Sequence, residues 1–206
     1  MKYLTYEKIV ETLSKQDQDR FLVGGTSVRP NDALQKIITA TGAKRIVEIG
    51  TGFGTSAVAI TSCSNVEYLL TLDIKQSIWP EYLARKFNLS HKIQFIAAAN
   101  SHQIYEIIGT QDFDLAYIDG AHHPPFAEND FNAVKYIGQV LFDDAYSNYV
   151  RQIVDANGGF MISNRFAYWS LEAEYETAQR IRAEITNDDP VQAGKLIHNY
   201  SYLKKH

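Results

Sequence analysis

The strongest constraint on the fold is a short run that ends in three closely spaced glycines. Arg45–Ile49 contains a short apolar run with a β-branched pair, which is typical of a strand buried on both faces. Gly50, Gly52 and Gly54 follow at alternate positions, and a helix with a hydroxyl near its N-terminus can begin at Thr55. Glycines allow the backbone to approach a ligand closely, and the first N–H groups of a helix point outward. The run therefore predicts a cradle for a small charged ligand.

The spacing of the glycines separates two kinds of ligand. A dinucleotide fingerprint has the pattern G-x-G-x-x-G, which would place its third glycine at position 55. Thr55 stands there instead, and this disfavours a NAD-binding oxidoreductase. The observed pattern is E-x-G-x-G-x-G from Glu48 to Gly54, and three glycines alone do not decide which ligand is bound.

Length and composition indicate one ordinary globular domain. Of the 206 residues, 45% are hydrophobic and 21% are charged. The net charge of −4 lacks the basic footprint of a nucleic-acid-binding protein. The apolar runs are too short for a membrane span, and the polar N-terminus does not resemble a signal peptide. The single cysteine, Cys63, cannot form an internal disulfide, so we predict that the chain is cytoplasmic. We expect Cys63 to be buried and structural.

Downstream of the cradle, predicted strands and helices alternate. The strands are expected at 68–73, 93–98, 113–119 and 139–144, and the helices between them at 80–88, 101–108 and 126–136. This alternation implies a parallel sheet with helices on both faces. Four of the five strands end in acids: Glu48, Asp73, Asp119 and the pair Asp143 and Asp144. Because ligands bind outside the carboxyl ends of parallel strands, we expect these acids to line the site.

The flanking segments are less regular. We predict two helices before the core, one over residues 3–15 and a second that ends at Gly42. After the core we predict a helix over 148–155, a strand over 160–169, a helix over 171–185 and a final strand over 195–203. The chain would then be one domain, 1–206, with N-terminal helices in 1–42, a ligand-binding core in 43–165, and a C-terminal helix and strand in 166–206.

With these residues placed, the chain resembles the class I S-adenosylmethionine-dependent methyltransferases. The glycine pattern is similar to their motif I. Ile118-Asp119-Gly120-Ala121-His122 resembles the I-D-G-x-H motif of a family close to the catechol O-methyltransferases. The resemblance covers about residues 25–165. It implies a Rossmann-like, doubly wound, mostly parallel sheet of seven strands with helices on both faces and an antiparallel last strand.

The resemblance implies S-adenosylmethionine as the cofactor. Asp73 matches the acid that binds both ribose hydroxyls, through charge-assisted hydrogen bonds of about 1.5–3 kcal/mol each. Ser56 matches the serine at the methionine carboxylate, and Asn100 and Ser101 fall where the family contacts adenine. The full set of expected cofactor contacts is Glu48, Gly50, Thr51, Gly52, Ser56, Asp73, Ile74, Asn100, Ser101 and Asp119.

The same resemblance implies an acceptor site beside the sulfonium. Asp119, Asp143 and Asp144 correspond to acids that hold a divalent cation, and oxygen ligands suit Mg²⁺. Neighbouring strand residues point to opposite faces, so the last two acids share an ion only if the chain turns between them. His122 matches a general base in related sugar O-methyltransferases, and Asp119 is the second expected catalytic residue. Residues 122–125 also suit a rigid loop that caps the next helix.

Two departures from the family pattern affect this second site. Only 24 residues separate Asp119 from Asp143, about one helical turn fewer than the family leads us to expect. Tyr136-Ile137-Gly138-Gln139 replaces the usual P-G-G before the fifth strand. We therefore expect a short helix after the I-D-G-x-H motif and an altered geometry around the acids.

The functional prediction is O-methylation of a small molecule, and the sequence leaves open whether Mg²⁺ assists it. The alternatives are a metal-free N- or O-methyltransferase and a non-catalytic S-adenosylmethionine-binding protein. We expect a small-molecule acceptor and no nucleic-acid or membrane partner. Aromatic residues in the C-terminal third suit a core, an acceptor pocket or the surface of a homodimer.

Overall fold

A computed structural model describes residues 3–18, 31–75, 77–98, 100–109, 111–171 and 175–185. Helices α1 (Tyr6–Glu11) and α2 (Asn31–Thr41) precede the sheet. Helix α1 is shorter than the helix predicted over 3–15, because the Thr5 side chain caps its N-terminus and Thr12 ends it. Gly42 follows α2 with φ +71°, the left-handed conformation expected of a glycine that ends a helix.

Strands and helices alternate from Arg45 to Ala156, as predicted, and two consecutive strands and a helix follow. They are β1 (Arg45–Ile49), α3 (Thr55–Ser62), β2 (Tyr68–Asp73), α4 (Ile78–Lys86), β3 (Ile93–Ala97), α5 (Ser101–Ile108), β4 (Leu115–Ile118), α6 (Phe126–Val134), a 3₁₀ turn (Lys135–Ile137), β5 (Gln139–Phe142), α7 (Asn148–Ala156), β6 (Phe160–Met161), β7 (Ala167–Ser170) and α8 (Tyr175–Ile185). The helix after the I-D-G-x-H motif is short, as the spacing of the acids predicted.

The strands form one seven-stranded sheet in the order β3-β2-β1-β4-β5-β7-β6. Strands β1 to β5 are parallel, whereas β7 runs antiparallel to β5 and β6 antiparallel to β7. The predicted Rossmann-like, mostly parallel sheet is therefore confirmed. From β1 the sheet extends through β2 and β3 on one side and through β4 and β5 on the other. This reversal of strand order leaves a crevice beside β1 at the carboxyl edge of the sheet.

The prediction of one continuous strand over 160–169 is wrong. The chain bends between β6 and β7, where the Ser163 side chain accepts hydrogen bonds from the N–H groups of Arg165 and Phe166. Both antiparallel strands of the described sheet belong to this hairpin. The strand predicted over 195–203 lies outside the described residues, and the division of the chain into one domain stays a prediction.

The core lies on both faces of the sheet, because neighbouring strand residues point in opposite directions. On one face Val47 belongs to an apolar cluster with Ile108 of α5, Phe131 of α6 and Val154 of α7. On the other face Ile46 belongs to a second cluster, whose helical members come from α2, α3 and α8. Helices thus cover both faces, as predicted. Within the described ranges, no helix has the length and apolar character needed to cross a membrane.

Gly50 is the point at which the ends of three strands meet. Its N–H donates to the carbonyl of Leu72 in β2 at 2.8 Å, and its φ is +100°. A Cβ at this position would overlap the carbonyl oxygen of Asp119 and lie 2.7 Å from the nitrogen of Gly120. A glycine here lets the loop after β1 pass against the loop after β4, which brings the two predicted motifs together.

We predict that Gly50→Ala lowers the free energy of unfolding by about 2–4 kcal/mol, because it adds a steric overlap to a backbone cost of about 1–2 kcal/mol. Gly138→Ala is the matched control, since Gly138 also has a positive φ, +93°, but open space around its Cβ position. This control should lose only the backbone term. Urea denaturation followed by circular dichroism measures both, and equal losses would contradict the importance of the close approach.

Candidate active site

A cavity of about 1050 Å³ lies at the carboxyl edge of the sheet. It is bounded by the loops after β1, β2 and β4 and by helices α5 and α6, and its volume is enough for a nucleoside-sized ligand. The predicted cofactor contacts that line it are Gly50, Gly52, Asp73, Ile74, Asn100, Ser101 and Asp119. Residues from four separate segments of the sequence are thus brought to one cavity.

Asp73, at the end of β2, has a side chain fixed by backbone donors. Its Oδ2 accepts a hydrogen bond from the Gly52 N–H at 2.8 Å, and its Oδ1 accepts one from the Lys75 N–H at 3.1 Å. Each carboxylate oxygen has a second lone pair, so two further O–H donors can still bind. The carboxylate therefore both anchors the glycine loop and remains able to bind a diol.

Glu48, Thr51 and Ser56, the other predicted cofactor contacts, do not line this cavity. They are buried beside it, with exposed fractions of 0%, 7% and 2%. The Thr71 hydroxyl donates to Glu48 Oε2 at 2.5 Å, and the Thr51 hydroxyl lies 2.6 Å from Thr71 Oγ1. Because the Thr71 proton is directed at Glu48, Thr51 donates to Thr71. Glu48 thus supports the glycine loop from beneath through two hydroxyl groups.

Polar groups also surround the opposite side of the cavity. Asn100 caps α5, accepting a hydrogen bond from the Gln103 N–H at 3.1 Å. Ser101 donates its hydroxyl proton to Asp130 Oδ1 at 2.7 Å. Burial raises the pKa of Asp130, although the Ser101 hydrogen bond opposes the shift. Asp130, in register with the I-D-G-x-H motif, was not among the predicted site residues, but it lines the cavity where α5 packs against α6.

The three predicted metal ligands lie together. Carboxylate oxygens of Asp119, Asp143 and Asp144 are all within 4.8 Å of one another, and all three residues are buried. Asp144 has φ +51°, so the chain turns after β5 as a shared site requires. The sequence-based grouping of these acids therefore has a geometric basis.

Arg165 and His122 contact two of these acids, Asp143 and Asp144. Arg165 places Nε 2.6 Å from Asp143 Oδ1 and Nη2 2.8 Å from Asp143 Oδ2. Nε2 of His122 lies 2.7 Å from Asp144 Oδ2. Burial alone would raise the pKa of Asp144, but the His122 hydrogen bond and the Arg165 charge lower it to about 2.

These contacts determine whether a divalent cation can bind to the three acids. Three carboxylates are the donor type that Mg²⁺ prefers. However, both oxygens of Asp143 are bound to Arg165, so Mg²⁺ would have to displace a guanidinium and then lie beside it. As arranged, the cluster does not fit Mg²⁺. Arg165 was missed because it lies in the hairpin turn that the sequence analysis interpreted as continuous strand.

The two adjacent histidines have different surroundings. His122 is directed to Asp144 and its side chain is 43% exposed. His123 lines the cavity and packs edge-on against Phe126, with ring centroids 5.1 Å apart. Tyr146 lies near the acids, and partial burial together with its hydrogen bond to Asp144 raises its pKa to about 12.

Cys63, the only cysteine, lies at the end of α3, away from these groups. Its side chain is buried. Burial raises the pKa of its thiol to about 11, which disfavours the reactive thiolate form. The prediction of a buried, structural cysteine is confirmed.

Comparison with protein families and known structures identifies the domain that carries this cavity. Residues 47–145 match the family model described as a methyltransferase domain, which spans the glycine loop and the I-D-G-x-H motif. No curated protein matches the chain.

Solved methyltransferases share the fold. An O-methyltransferase from Bacillus cereus in complex with S-adenosylhomocysteine is 17% identical, with a TM-score of 0.56 over 90% of this chain and 81% of its own. The O-methyltransferase TomG from Streptomyces achromogenes, in complex with S-adenosylmethionine, is 17% identical, with a TM-score of 0.57 over 79% and 86%. A methyltransferase from Geobacter sulfurreducens is 10% identical, with a TM-score of 0.60 over 80% and 89%. Residues 47–145 therefore form a methyltransferase domain, as the two motifs predicted, and the chain shares the fold of solved methyltransferases.

Proposed function

We propose that this methyltransferase binds S-adenosylmethionine in the cavity beside β1 and transfers the methyl group to an oxygen atom of a small molecule. One observation carries the proposal: Asp73, at the end of β2, and Asp119, directly after β4, line the same cavity. The Bacillus cereus and Streptomyces achromogenes structures are O-methyltransferases in complex with S-adenosylhomocysteine and S-adenosylmethionine, which supports the choice of cofactor and of an oxygen acceptor.

In the proposed complex, Asp73 accepts hydrogen bonds from both ribose hydroxyls. Its carboxylate is held by Gly52 and Lys75, so little conformational entropy is lost when the ribose binds. Ile74 is 69% exposed and lines the cavity beside Asp73, where it offers an apolar surface to the adenine. Asn100 and Ser101 lie along the same cavity and supply polar contacts to the base.

The other predicted contacts act at the methionine end and beneath the loop. Ser56 and Thr51 lie at the N-terminus of α3 and in the glycine loop, where they position the backbone N–H groups that receive the methionine carboxylate. Asp119 follows β4 and lies beside the sulfonium, whose positive charge its carboxylate favours. Glu48 acts through Thr71 by holding the loop in place.

In the transfer itself, an acceptor oxygen attacks the methyl carbon as the carbon–sulfur bond breaks. A carbon–oxygen bond forms, and the sulfur keeps the bonding electron pair and becomes a neutral thioether. The hydroxyl proton leaves to a base, because a neutral hydroxyl is a weak nucleophile near pH 7. His122 is the proposed base: with Nε2 directed to Asp144, Nδ1 is the ring nitrogen that accepts this proton.

We predict that S-adenosylhomocysteine binds with micromolar affinity and that Asp73→Ala weakens this binding at least tenfold. The variant loses two charge-assisted hydrogen bonds of about 1.5–3 kcal/mol each. Asp155→Ala is the matched control, because Asp155 is an exposed acid of α7 that does not line the cavity. Isothermal titration calorimetry measures the affinities. Heat with NAD but none with S-adenosylhomocysteine would reverse the assignment.

We predict that His122→Ala lowers kcat at least about 100-fold while S-adenosylhomocysteine affinity changes less than twofold, since a general base contributes about 10²–10⁴ to the rate. The acceptor comes from a screen of phenols, sugars and amino-acid derivatives for S-adenosylhomocysteine release. His91→Ala, at an exposed histidine distant from the cavity, is the control. An unchanged kcat in His122→Ala would contradict the role of His122 as base and would mean that positioning of the substrates is sufficient for catalysis. If only amines are methylated in the screen, the acceptor atom is nitrogen and not oxygen.

A further inference from the structure

The turn of the hairpin between β6 and β7 places the guanidinium of Arg165 against the acids that follow β5. The main chain of the hairpin turn is fixed at several points: Ser163 accepts two backbone N–H groups of the turn, and the Arg165 carbonyl accepts the Ala145 N–H at 2.7 Å. The Arg165 side chain is only 16% exposed. Its position is therefore determined by backbone contacts on both sides of the cluster.

The guanidinium lies against both acids. Nη2 donates a hydrogen bond to Asp143 Oδ2 at 2.8 Å, Nε lies 2.6 Å from Asp143 Oδ1, and Nη2 also lies 3.4 Å from Asp144 Oδ1. Asp143 receives a further hydrogen bond from the Tyr117 hydroxyl at 3.0 Å. The positive charge thus contacts both of the carboxylates that would hold a shared metal ion.

The same contacts connect Arg165 to the proposed base. Asp144 binds Arg165 through Oδ1 and His122 through Oδ2, at 3.4 Å and 2.7 Å. Asp144 has a left-handed backbone and its N–H donates to Asp143 Oδ1 at 2.7 Å. A shift of Asp143 would therefore move Asp144, and with it the imidazole. Arg165 is thus connected to His122 through Asp144.

We propose that Arg165 is the permanent cation of this site: it neutralises Asp143 and Asp144 in place of a divalent metal and acts as a positioning residue for His122. The inference rests on the proposed methyl transfer at this site, but its core, that the acids do not take up a metal ion while Arg165 is present, is independent of turnover. The proposal also means that methyl transfer proceeds without an added divalent cation.

The test uses Mn²⁺ as the probe, in the full chain with S-adenosylhomocysteine present. Electron paramagnetic resonance and calorimetry should detect no Mn²⁺ binding to the metal-stripped wild type below about 1 mM. Arg165→Ala leaves three clustered carboxylates without the guanidinium, and we expect it to bind Mn²⁺ at least tenfold more tightly than the wild type. Arg165→Lys retains the charge and should remain like the wild type. Arg85→Ala removes an exposed arginine paired with Glu81 and is the control.

Wild-type binding of Mn²⁺ below 1 mM that is lost in Asp143→Asn would overturn the proposal, as would a folded Arg165→Ala variant that binds Mn²⁺ no better than the wild type. Circular dichroism establishes whether the variant is folded, and the wild-type measurement decides the question even if it is not. Once an acceptor is known, wild-type kcat should be the same in EDTA and in Mg²⁺, and Arg165→Ala should lose kcat with little change in cofactor affinity. Failure of S-adenosylhomocysteine to bind would count against the proposed function, not against Arg165 as the cation.

Discussion

The close contact between Gly50 and the backbone at Asp119 is the constraint on which the rest of the site depends. Parallel strands end at one edge of the sheet, but their loops diverge unless something holds them together. Here the loop after β1 bonds to Leu72 of β2 on one side and passes against the loop after β4 on the other. As a result, Asp73 and Asp119 lie on neighbouring walls of one cavity.

Charge is distributed unevenly along this edge, and the distribution matches a cationic cofactor. Asp73 and Asp119 both face the cavity, which favours a sulfonium over an anion such as a pyrophosphate. The next pair, Asp143 and Asp144, is compensated by Arg165 within the protein. In the proposed complex Asp73 and Asp119 lie nearest the cofactor, whereas Asp144 contacts His122.

Local patterns in the sequence predicted the sheet well, because each parallel strand is a largely apolar run and four of the five have an acid at or near the carboxyl end. The bounds of β2 and α5 are those predicted, and the glycine loop lies where its spacing indicated. The hairpin was missed because Phe160–Trp169 is rich in strand-forming aromatic residues that obscure the bend at Ser163. Long-range contacts were the other gap: no local pattern shows that Arg165 binds Asp143, or that Glu48 faces Thr71 instead of the cavity.

The most direct test of the account is a crystal structure of the chain with S-adenosylhomocysteine bound. We predict the nucleoside in the cavity beside Gly50, with both ribose hydroxyls about 3 Å from the carboxylate oxygens of Asp73 and the sulfur on the side of Asp119. A nucleoside bound elsewhere, or one whose ribose does not contact Asp73, would contradict the claim that the glycine turn and the acids of the sheet edge form one cofactor site.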